Sequence, residues 1–72
     1  MSAKIEVLNV VALTQDIPEH SLLRGQVGTV VEILAPGVYE VEFSDDNGKT
    51  YATASVREDK LMLLHLRPVK AA

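Results

Sequence analysis

Apolar and polar positions alternate in short runs along this chain, and their period is two rather than 3.6. Val7 to Leu13 is an almost continuous apolar run broken by Asn9, which reads as a first strand covered on both faces. A polar stretch from Thr14 to Arg24 follows, a long loop in which Ile17, Leu22 and Leu23 can fold back onto the core. Val27 to Leu34 reads as a second strand, with Gly28 removing a side chain where a strongly bent sheet brings backbones together. Ala35-Pro36-Gly37 is a turn, since proline presets φ and glycine accepts a positive value.

Val38 to Phe43 alternates cleanly, so Tyr39, Val41 and Phe43 should point inward while Glu40 and Glu42 meet water. Ser44-Asp-Asp-Asn-Gly48 is a hairpin signal. In the fourth strand, Thr50 to Val56, the alanines Ala52 and Ala54 with Val56 suit a crowded interior. Arg57 to Lys60 forms a polar turn, one 3₁₀ turn, before a fifth strand from Leu61 to Leu66. Pro68 keeps the remaining tail out of any central ladder. No stretch carries helical period, so the expected fold is all-β, a small five-stranded SH3-like (KOW-like) barrel.

A chain of 72 residues allows one domain, with its core over residues 7–66 and flexible ends. The composition is 47% hydrophobic but only 4% aromatic, so the core is aliphatic. Without cysteine, disulfides and thiolate metal sites are excluded. A net charge of −3 offers no general attraction to phosphate backbones or anionic lipid. The N-terminal run is too short for a secretory signal, and no run reaches membrane-spanning length, so a soluble cytoplasmic protein is expected.

Candidate chemistry is sparse. Asp16, Glu19, His20 and Ser21 share the first loop, but a local cluster rarely converges as nucleophilic catalysis requires, and a solvated loop is the expectation. Asp45, Asp46 and Asn47 near Glu42 suit turn geometry better than a cation site. His20 and His65 lack patterned metal-ligand partners. The cations Lys4, Arg24, Lys49, Arg57, Lys60, Arg67 and Lys70 are scattered, and Glu58 and Asp59 interrupt the C-terminal group. No enzyme activity, cofactor or metal is expected.

Excess apolar surface on the first and last strands is the feature that remains. With Val7, Val11, Leu13, Leu61 and Leu63 facing the core, Leu8, Val10, Ala12, Met62, Leu64 and Leu66 face outward. That patch exceeds what an isolated monomer normally exposes, unless Ile5 or Val69 covers it. The expected role is a protein-interaction module that docks a partner or a second copy through Leu8, Val10, Met62, Leu64 and Leu66. Glu40, Glu42, Asp45 and Asp46 would add selectivity for a basic surface. A KOW-like nucleic-acid-binding barrel is the alternative.

Val11-Ala-Leu13, Asp16-Ile-Pro-Glu19, Arg24 to Glu32, Ala35 to Phe43 and Asp46 to Ala52 together resemble a bacterial family, domain of unknown function 4926. The resemblance covers about Leu8 to Leu64 and implies an SH3-like barrel, with no activity, cofactor or catalytic residue to carry over. Some small bacterial proteins of this kind are encoded beside toxin-like or nuclease-like genes, and the resemblance points to an accessory, regulatory or antitoxin-like role. Signalling SH3 domains are a wider likeness, but the aromatic groove that docks polyproline is missing, and tryptophan is absent.

Overall fold

A computed structural model describes residues 4–68. Val69 and Lys70, invoked above as a cover for the patch and as part of a basic group, lie outside the described residues. Five antiparallel strands form one sheet: β1 (Val10–Leu13), β2 (Val27–Ala35), β3 (Val38–Ser44), β4 (Thr50–Arg57) and β5 (Leu61–Leu63). The strand order β4-β3-β2-β1-β5 is that of an SH3-like barrel. Single 3₁₀ turns occupy Pro18–His20 and Glu58–Lys60; the second was expected and the first was not.

The core follows the period-two reading on β3, where Tyr39, Val41 and Phe43 are all buried. Val11, Leu13, Val30, Ala54, Val56 and Leu61 complete it, joined by Ile17 and Leu22 from the first loop. Those two loop residues form an isolated antiparallel bridge that holds the loop against the sheet. Leu23, expected to fold back with them, is instead exposed, because its backbone NH donates to the Gln26 side chain in a turn that leads outward.

Gly28 pairs with Phe43 on β3, and a Cβ there would lie 2.9 Å from the Glu42 carbonyl oxygen and 2.6 Å from Val41 Cγ1. Only glycine lets β2 and β3 approach this closely. Farther along β2, register shifts between Val30 and Glu32 and between Ile33 and Ala35 mark irregularities of bulge type. Each extra residue breaks the alternation. As a result Val31, Ile33 and Leu34 are exposed, although apolar residues dominate the strand.

Both end strands are shorter than expected. Residues 7 and 8 belong to a turn, because the Asn9 carboxamide accepts the Glu6 NH at 2.7 Å and the Asn9 NH returns to the Glu6 carbonyl. Val7 is therefore exposed rather than core-facing. Ile5 takes its place in the core. At the other end β5 stops at Leu63, and the Leu64 NH adds one last bond to the Val10 carbonyl.

Candidate functional site

The outward face of β5, β1 and β2 is built by cross-strand register. Met62, Ala12 and Val27 lie in one row across the three strands, and Val10 pairs with Thr29 in the next. Ala12 was expected to be exposed and is 5% exposed. Its methyl lies outside the core cluster but sits low between the larger Val27 and Met62, which shield it. Those two neighbours carry the exposed surface of the row instead. Val27 is an addition that the β1/β5 reading missed; outward alternation along β2 was the available signal.

Leu8, Val10, Leu64 and Leu66 are brought together around a shallow groove of about 390 Å³, with His65, Arg67 and Pro68 along its side. Leu8 and Leu66 are 74% and 77% exposed, whereas Val10 and Leu64 are half-buried. Leu8 reaches this position from the Glu6–Asn9 turn rather than from a strand. Its φ of 74° is in the left-handed region, which a bulky side chain rarely adopts. Backbone bonds from the Leu8 NH to the Val30 carbonyl and from the Val30 NH to the Asn9 carbonyl hold the turn onto β2.

Through Thr29 the apolar face continues into an acidic one. Glu42 pairs with Thr29 on β2 and Thr53 on β4, and Glu40 faces Glu32 directly across the strands. Glu40 and Glu42 are half-buried and Glu32 is exposed. Of the two hairpin aspartates, only Asp46 is free of structural duty. Asp45 Oδ1 accepts the backbone NH groups of Asn47 at 2.9 Å and Lys49 at 3.0 Å, so its carboxylate organises the turn.

The first-loop cluster does not converge. Asp16 Oδ1 accepts the Arg24 backbone NH at 2.8 Å, while Ser21 adopts a left-handed φ of 56° at the end of its 3₁₀ turn. His20 and Ser21 are both exposed. Among the described residues no group of three or more His, Asp or Glu is placed to hold a metal ion, and no helix is long and apolar enough to cross a membrane.

Charge perturbation is concentrated near the second 3₁₀ turn. Arg57 and Asp59 form the only ion pair among the described residues, on the surface. Hydrogen bonding to Arg57 holds the Asp59 carboxyl below its ordinary value, and Asp59 raises the Arg57 guanidinium in turn. Burial, followed by the charge and hydrogen bond of Glu58, pushes the Tyr39 phenol upward.

Neither a curated protein nor a solved structure matches the chain. A family model does, and its match includes every strand of the sheet but stops before Leu64 and Leu66. Residues 7–63 match the family described as Domain of unknown function (DUF4926), and the chain belongs to that family.

Proposed function

We propose that this protein is a cytoplasmic, non-enzymatic interaction module, an accessory, regulatory or antitoxin-like subunit. It docks a partner protein through Leu8, Val10, Met62, Leu64 and Leu66. The observation that carries this reading is Leu8, a large apolar side chain presented to water from a left-handed backbone position. Glycine or asparagine would occupy that position at lower conformational cost. A leucine that is both strained and exposed is better accounted for by a contact outside the chain than by folding.

Charge narrows the partner's chemistry. The acidic row Glu32, Glu40 and Glu42 adjoins the apolar face through Thr29. No ion pair within the described residues neutralises these glutamates. The complementary partner presents an apolar projection flanked by lysine or arginine. Burying one leucine fully contributes about 2 kcal/mol, while the glutamates act mainly on encounter rate and specificity.

The test compares wild type with Met62→Glu and Leu66→Glu, at exposed positions, after thermal melts have checked that each variant folds. Tagged protein is used to capture partners from the native host, and each candidate is then purified and titrated against all three forms. A partner bound by wild type and weakened at least tenfold by both variants supports the proposal. A captured partner indifferent to both substitutions removes the face from consideration. Mass measurement in solution over a range of concentrations separates a heterologous partner from a second copy of the chain.

A further inference from the structure

A second apolar surface lies at the β2–β3 hairpin and shares no side chain with the β1/β5 face. Four consecutive residues, Ile33, Leu34, Ala35 and Pro36, are exposed, an apolar run turned to water. Together with Ile5 they wall a cleft of about 520 Å³. Tyr39 and Glu58 supply its polar end. The Tyr39 ring is buried, and its hydroxyl donates to Glu58 Oε2 at 3.4 Å.

Glu58 is exposed, and its backbone is tied to the β2–β3 hairpin. Its backbone NH donates to the Gly37 carbonyl at 2.9 Å, and its carboxyl carbon lies 3.5 Å from where a Gly37 Cβ would stand. Among the described residues the carboxylate has no ion-pair partner. Lys4 borders the same cleft, exposed, and does not neutralise it. An apolar wall ending in a carboxylate with no ion-pair partner among the described residues is complementary to a cation on an apolar stem.

We propose that this cleft receives an arginine side chain of a partner protein. The methylene stem lies along Ile33, Leu34 and Pro36, and the guanidinium reaches Glu58 beside the Tyr39 hydroxyl. Arginine fits better than lysine because a guanidinium is flat, weakly hydrated and able to bond a carboxylate through two donors. The cleft is partly open to solvent, which suits a side chain entering from a partner surface. A macromolecule carrying the side chain would supply the rest of the contact area.

The probe is n-butylguanidinium, followed by amide NMR shifts of the full chain, so the test needs no knowledge of the partner. Its failure leaves the β1/β5 proposal untouched. The expected result is saturable, millimolar binding with shifts confined to Ile33, Leu34, Gly37, Tyr39 and Glu58. Exposed ion pairs are weak, so Glu58→Gln should lower affinity about fivefold rather than abolish it. Ile33→Ser, a second variant at an exposed position, should weaken binding through the stem, and Lys4→Ser should leave it unchanged or tighter. Equal binding of n-butanol, or full retention in Glu58→Gln, overturns the charge assignment. Equal binding of n-butylammonium overturns the preference for arginine.

Discussion

At the scale of single residues, three positions carry most of what is particular to this chain. Leu8 holds a φ of 74° with its side chain in water, so little packing is lost on removing it. Leu8→Gly is expected to stabilise the isolated protein by about 1 kcal/mol, seen as a higher urea midpoint, while weakening partner binding. A variant that is less stable would mean that the leucine packs within the fold. Gly28 behaves oppositely: the backbone carbonyl of Glu42 blocks a Cβ and cannot rotate away as a side chain would. Gly28→Ala should cost about 2–3 kcal/mol in the same measurement.

Tyr39 sets an alkaline limit on stability. Its folded-state pKa lies above the ordinary tyrosine value of about 10 because burial and Glu58 both disfavour the phenolate. The native state therefore holds its proton more tightly than the unfolded chain does. This contribution is fully present below the unfolded value and is lost as pH rises through the folded one. Melting curves of wild type should fall across that window, and Tyr39→Phe should remove this part of the decline.

At the scale of elements, the β3–β4 hairpin shows how a side chain can act as backbone. Asp45 bonds two turn amides, so Asp45→Ala should cost about 1 kcal/mol, whereas Asp46→Ala should change stability little. Equal effects in thermal melts would show that the carboxylate does not organise the turn. Period-two patterning made β3, β4 and both turn sequences legible from residue types alone, because every second side chain is buried along β3 and over the last half of β4. It failed at Val7, expected in the core but exposed, where one carboxamide, Asn9, makes a turn of the start of the expected strand; Leu8 leaves the strand but faces outward as expected. Along β2 it gave the strand but not its faces, since shifts of register beyond Val30 place Ile33 and Leu34 in water. Parity still placed Val10, Met62 and Leu64 on the outward face, but it could not show that Val27 and Met62 shield Ala12, since shielding depends on neighbours across strands.

At the scale of the whole molecule, charge is arranged against stability. With a net charge of −3 the chain repels itself weakly, yet Glu32 and Glu40 are set directly opposite each other on neighbouring strands, with Glu42 two residues along. Like charges in that arrangement destabilise a sheet by about 0.5 kcal/mol. On the proposed docking reading, a basic partner surface beside the apolar face would relieve this repulsion. Glu40→Gln isolates this effect because it keeps the side chain's length and removes one charge. The variant should melt higher than wild type at low salt, and the difference should shrink as added salt shortens the screening length. With the partner in hand, the same substitution should slow association more than it speeds dissociation. A variant no more stable than wild type at low salt would show that the glutamates are already well screened by water, and the acidic row would then lose its place in partner selection.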